Sequence, residues 1–259
     1  MHRKKEGVFD MYTVRFQLEL SESEKRFLSK SFFYANQMHN QLVRYATNRL
    51  NALFHDKEYM GARKAYGEAE FSKKKVSELS ASEKKKKKEL SNIMCVKQKE
   101  YNLTKTSLCK FVSKEQKKYK NYINSHQAQA EAEAVYKGVE KVLFEDGHHL
   151  HYRRYNSFDC IKQKCAATGV RLLRWDTICF MKHYYKVRVP KNEYIQNIIS
   201  SVDLKEDVVY SFLKRIEFNS GFKYYVVITL RGDTPKQIKL SEDGGHRTGV
   251  DFGTSTIAT

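Results

Sequence analysis

The chain has 259 residues, 41% of them hydrophobic, with 48 Lys and Arg against 30 Asp and Glu for a net charge of +18. That length suits one large or two ordinary domains with a real core, and that charge calls for a polyanionic partner, nucleic acid ahead of an anionic membrane surface. The absence of any run of about 18 apolar residues argues against a transmembrane helix, the lack of an apolar stretch after the basic residues 1–7 argues against a secretion signal, and Cys95, Cys109, Cys160, Cys165 and Cys179, scattered and without a CxxC pair, read as reduced cytoplasmic thiols rather than zinc ligands.

Residues 11–20 alternate strictly: Tyr12, Val14, Phe16, Leu18 and Leu20 against Thr13, Arg15, Gln17 and Glu19. This is the pattern of a half-buried strand. Ser21 with Glu24 three positions on is a capping box, so a helix follows directly. Its apolar face runs through Phe27, Leu28, Ser31, Tyr34, Ala35, Met38, Leu42 and Tyr45 at helical spacing. Gly61 and Gly67 predict a break between helices. A lysine-rich helical stretch comes next, with charge runs at residues 73–75 and 84–88. Its apolar stripes are Leu90, Ile93 and Met94, then Leu108, Phe111, Val112, Tyr119, Tyr122 and Ile123. Ala130, Ala134, Val135, Val139, Val142 and Leu143 predict a last helix, stopped by Asp146 and Gly147.

From His148 the pattern turns to β. Residues 148–158 are rich in aromatics and His, and residues 170–175 and 178–189 read as two strands, the second closed by Pro190. Residues 212–218 and 222–231 flank Asn219-Ser220-Gly221, a hairpin turn. Asp243-Gly244-Gly245 reads as a linker before a terminal motif. A lone first strand leaves its backbone hydrogen bonds unpaired, so it is expected to pair with the later strands. The expected fold is therefore α+β: a β-barrel or small sheet interrupted by a helical insertion at about residues 25–145.

The terminal motif, Gly249-Val250-Asp251-Phe252-Gly253-Thr254-Ser255, looks like the first strand of a ribonuclease-H-like sheet. An Asp within an apolar strand is costly to bury without a partner, which suits a ligand of Mg²⁺ in a site that hydrolyses a phosphodiester. Two other readings stand beside it. Asp251 can cap a turn that Gly253 permits, and Asp-Phe-Gly-Thr-Ser also resembles the first phosphate loop of the actin and heat-shock ATPases. Upstream, Lys84, Lys85, Lys86, Lys87 and Lys88 are candidates to neutralise phosphates, and Tyr101, Phe111, Tyr119 and Tyr122 to stack on unpaired bases. The competing reading is a solvated lysine face over core tyrosines. His148, His149 and His151 lack a completing ligand set for a metal; with Arg153 and Arg154 they read as a basic, aromatic strand surface for RNA or, ahead of that, as a hairpin with no binding role. No nucleophile elbow, Walker motif or dinucleotide glycine pattern occurs.

In this order the parts resemble the N-terminal half of a TnpB-like protein, the transposon-encoded RNA-guided nucleases related to compact type V CRISPR effectors. Four passages carry the likeness. The opening strand runs into Ser21–Glu24, and the helix holding Phe33-Tyr34-Ala35-Asn36-Gln37-Met38-His39-Asn40 places Asn40 at a recurrent Asn position. The passage from Arg215-Ile216-Glu217-Phe218 to Gly221-Phe222-Lys223-Tyr224-Tyr225-Val226-Val227 resembles the family's last barrel hairpin. Thr248 to Gly253, followed by Ile257-Ala258-Thr259, resembles its first RuvC-type motif.

The resemblance implies a wedge domain, an oligonucleotide-binding-like barrel, with its first strand in residues 1–24 and its remainder in residues 148–245. A helical recognition insertion (25–147) interrupts it, and the start of a RuvC-like domain (246–259) follows. It further implies guide RNA and target DNA as partners, no membrane, and a cytoplasmic, nucleoid-associated location in a bacterium. Asp251 would be the first Mg²⁺ ligand. The second and third carboxylates and a zinc module are expected downstream, so residues 1–259 alone are expected not to cleave. The rival from another class is a non-catalytic RNA- or DNA-binding module with the same surface.

Overall fold

The computed structural model describes residues 10–69, 77, 79–163 and 169–232. Strand β1 (Met11–Glu19) buries Tyr12, Val14, Phe16 and Leu18 and turns Thr13 and Arg15 to solvent. Helix α1 (Glu22–Phe54) starts in the expected capping box: the Ser21 hydroxyl accepts the Glu24 N–H, and the Glu24 carboxylate accepts the Ser21 N–H at 2.7 Å. Its buried face runs from Leu28 through Phe32, Ala35, Met38 and Leu42 to Leu53.

Helix α2 (Lys57–Glu68) corrects one expectation. Gly61 and Gly67 do not separate helices; both lie inside α2, facing open space. A surface glycine costs a helix only about 1 kcal/mol against alanine. Against that stand the Asp56 cap, whose carboxylate accepts the Glu58 and Tyr59 N–H groups at 2.9 Å, and the burial of Tyr59 and Ala62. Asp56 also accepts the Tyr101 hydroxyl and lies 3.3 Å from the Lys97 ammonium, tying α2 to α3 (Ala81–Glu100).

Helices α4 (Lys105–Gln116) and α5 (Ser125–Phe144) complete the helical block, joined by a 3₁₀ turn at Lys117–Tyr119. The buried face of α5 is Ala128, Ala132, Val135, Val139, Val142 and Leu143; Ala134 is exposed and Ala130 half-buried. Alanines at 128, 130, 132 and 134 make the helical phase ambiguous in sequence, and the expected face chose the wrong pair. A buried polar contact, His39 Nδ1 to Glu131 Oε2 at 3.0 Å, joins α1 to α5.

Residues 148–158, grouped with the β region in sequence, form an irregular connection rather than a strand. It is clasped to α1. Asn40 donates to the Arg153 carbonyl and accepts the Arg153 N–H, both at 2.9 Å, and Asn36 donates to the same carbonyl. Four strands follow: β2 (Cys160–Ile161), β3 (Arg171–Arg174), β4 (Thr177–Phe180) and β5 (His183–Arg188). The single strand expected at 178–189 is thus most of β4 and all of β5, folded back at Met181-Lys182. A short helix α6 (Glu193–Ser201), capped by Asn192, was not expected. The hairpin β6 (Val208–Phe218) and β7 (Gly221–Arg231) turns where expected, with Gly221 at φ +100°.

Among the described residues the strands form one antiparallel sheet of seven, in the order β2-β6-β7-β1-β5-β4-β3. The first strand of the chain is therefore interior, paired with β7 and β5 as the pairing argument requires. No ladder joins β2 to β3 among the described residues, so a closed barrel is not seen. The sheet does curl. Ser211 of β6 donates to the carbonyl of Val170, the residue before β3. Those strands stand five places apart in the order, about 24 Å if the sheet were flat. The Gln163 carboxamide, just past β2, bonds both the N–H and the carbonyl of Val170. Among the described residues, the side chains of Gln163 and Ser211 bridge the two ends.

The inner face of the sheet packs on α1, where Phe32 lies 5.8 Å from the Tyr224 ring. Arg215 sits in this core at 1% exposure. Its guanidinium lies 4.8, 4.0 and 4.1 Å from the ring centres of Phe32, Tyr155 and Phe222, and it donates to the carbonyls of Phe158 and Tyr155. Among the described residues no helix is long and apolar enough to cross a membrane.

Candidate nucleic-acid interface

Three surfaces carry the residues of interest. The first is α3. Lys84, Lys85, Lys86 and Lys88 are exposed on its N-terminal half, while Lys87 is half-buried with its ammonium 5.9 Å from the Tyr66 ring. Five consecutive positions sweep more than one helical turn, so these lysines surround the helix rather than line one groove. Residues 73–75 lie outside the described residues.

The second is the connection ahead of β2. Its backbone is held to α1 by Asn36 and Asn40, and that leaves the side chains of Tyr152, Arg153 and Arg154 exposed. The Arg153 guanidinium reaches back to 5.9 Å from the Phe158 ring. The His149 and His151 rings sit 4.3 Å apart. Among the described residues no group of three or more His, Cys, Asp or Glu is placed to hold a metal. Asp251 and its motif lie outside the described residues, as do Cys165 and the linker at 243–245.

The third surface is a cleft of about 770 Å³ where the β4–β5 turn meets the segment joining α4 to α5. Phe27 of α1, Lys120, Asn121 and Tyr122, the α5 cap Asn124 with Ser125, Arg171 of β3, and Met181, Lys182 and His183 line it. No Asp or Glu does. The three cations enter from separate segments and none pairs with a carboxylate among the described residues. The rings form a strip, with Phe27 at 4.4 Å from His183 and 5.3 Å from Tyr122. Tyr122 continues to Tyr34 at 5.0 Å, Tyr34 stacks on Tyr119 at 4.8 Å, and the Lys30 ammonium lies 6.0 Å from the Tyr122 ring.

The rim of this cleft is strained. Met181 and Lys182 hold φ of +50° and +65°. Both central positions of a two-residue hairpin of the mirror-image type need positive φ, which Asn and Gly accept readily and side chains such as Met and Lys do not. This turn sets His183 beside Phe27 and Lys182 on the cleft wall.

Of the sequence-selected residues, the fold brings Tyr119 and Tyr122 together through Tyr34 and sets Tyr122 in the cleft. Lys84–Lys88 and Arg153–Arg154 lie on other surfaces. Lys120, Arg171, Lys182 and His183 were not singled out in sequence, because no spacing links them. The outer face of the sheet adds basic character: the Arg15 guanidinium lies 5.2 Å from the Tyr225 ring, and β1 pairs Gln17 with Arg188. In comparison with known proteins, no family model and no curated protein matches the chain.

Proposed function

We propose that the chain is the nucleic-acid-binding part of a TnpB-like RNA-guided DNA endonuclease, gripping a guide RNA and its target DNA. One observation carries this reading. The first strand of the chain is an interior strand of the sheet, and a lysine-rich helical block lies in sequence between it and the other strands. That is the order the motif resemblance calls for, a wedge sheet interrupted by a helical recognition segment. The curl of the sheet supports the finer reading as an oligonucleotide-binding-like barrel. In such systems base pairing reads the target while protein reads shape and backbone, which suits basic surfaces spread over several elements.

Asp251 is the residue that would contribute to a Mg²⁺ site, where bound metal supplies a Lewis acid and an activated water. One carboxylate alone does not make that site. The zinc module belongs to the same reading, and among the described residues no group of three or more His, Cys, Asp or Glu is placed to hold its metal.

Filter binding of the purified protein to a structured RNA across a salt series tests the reading. Engagement of six or more phosphates lowers affinity by about a thousandfold between about 50 and 200 mM salt. A flat salt dependence, or no binding, would overturn it.

A further inference from the structure

The cleft at the β4–β5 turn has a composition that general phosphate attraction does not account for. Lysines scattered on α3 suffice to hold a backbone. Here three cations from three segments converge on a cleft that also holds a strip of aromatic rings and, among the described residues, no carboxylate. We propose that this cleft holds one unpaired nucleotide of a bound strand. The base lies on the Tyr122–Phe27–His183 strip, and the phosphate is taken by Lys120, Lys182 and Arg171. The inference rests on the nucleic-acid reading above and assigns the part of the ligand that enters the fold.

Three features select an unpaired nucleotide. Base faces are covered in a duplex and open in a single strand, and a ring strip has use only for open faces. The volume, about 770 Å³, falls in the range of sites that enclose a small-molecule-sized group rather than a flat contact. The exposed Asn121 adds an amide, both donor and acceptor, at the same wall, which suits a base edge. An acidic peptide would engage the cations and leave the rings unused. The positive-φ turn fits this role: relaxing it would draw His183 away from Phe27 and Lys182 from the cleft wall, and strain of this kind gathers where a binding geometry is held.

The test uses the whole 259-residue chain with a fluorescein-labelled oligouridine single strand and an RNA duplex of equal length. His183→Ala, at an exposed position, and Tyr122→Leu are expected to weaken the single strand by about five- to tenfold, the scale of one lost stacking contact, and the duplex by less than about twofold. Tyr122→Phe, which keeps the ring, restores binding. Lys120→Gln combined with Lys182→Gln lowers the single-strand salt slope by about one. Circular dichroism confirms that each variant is folded. If the wild type binds RNA but these variants bind the single strand unchanged, or lose single strand and duplex alike, the cleft assignment falls and the nucleic-acid reading stands. Displacement of the single strand by polyglutamate as readily as by unlabelled oligouridine also overturns the assignment. If the wild type binds neither RNA, the broader reading itself fails.

Discussion

Arg215 is buried without a carboxylate partner among the described residues, and its Nη1 makes no hydrogen bond. Removing a guanidinium from water costs several kcal/mol. Two backbone carbonyls and three aromatic faces offset that cost, and in doing so they fasten the segment before β2 to the sheet and to α1. Lysine keeps the charge but not the planar fork that reaches both carbonyls. Arg215→Lys is therefore expected to cost about 2–4 kcal/mol in urea unfolding. The cysteines separate in the same way by environment. Burial, reinforced by the neighbouring Asp159 carboxylate, pushes the Cys160 thiol up to about 11, whereas Cys95 is exposed. A raised value keeps Cys160 in the unreactive protonated form at neutral pH. Aromatic disulfide reagents should modify Cys95 first, with mass mapping showing Cys160 labelled only as pH climbs toward 11.

At the scale of elements, the β4–β5 hairpin shows a cost set against a use. Met181→Asn with Lys182→Gly supplies the residues its turn geometry favours, and is expected to raise stability by about 1–2 kcal/mol while weakening single-strand binding through the lost ammonium. Paired urea melts and binding titrations check both halves; an unchanged melt would mean that the turn stores no strain. The same hairpin shows what sequence reading can reach. The β6–β7 turn was legible because Gly221 announces it. Met181-Lys182 carries no turn residue, so two strands looked like one. Helix α6 did leave a signal, Asn192 followed by Ile195, Ile198 and Ile199, but nine residues after a proline gave too short a window to establish a period. At Gly61 and Gly67 the opposite happened, and a local propensity was overruled by a cap and two buried side chains.

Across the whole molecule, β1 was legible by elimination, since an alternating strand needs ladder partners and only the later half of the chain offered them. The α1 face and its capping box were legible because both follow local periods. The cleft was not, because Phe27, Lys120, Arg171 and His183 come from distant segments and meet only once α1, the α4–α5 connection and the sheet have packed. Charge predicted a polyanion but not where its parts would rest. The run of lysines that dominates the sequence is dispersed around α3, and the basic cleft at the β4–β5 turn is built from cations that the sequence does not cluster.

The interior position of β1 also sets a schedule. This strand leaves the ribosome before the other strands of the sheet, yet its register pairs Gln17 with Arg188 and Met11 with Arg231. At about 5–20 residues per second the nearer partner emerges roughly 10–35 s later. For that interval Tyr12, Val14, Phe16 and Leu18 have no sheet to join, and the sheet can assemble only when translation is nearly through the described residues. Until then the helical block, whose contacts are closer in sequence, is the nascent chain's available shelter for its own first strand.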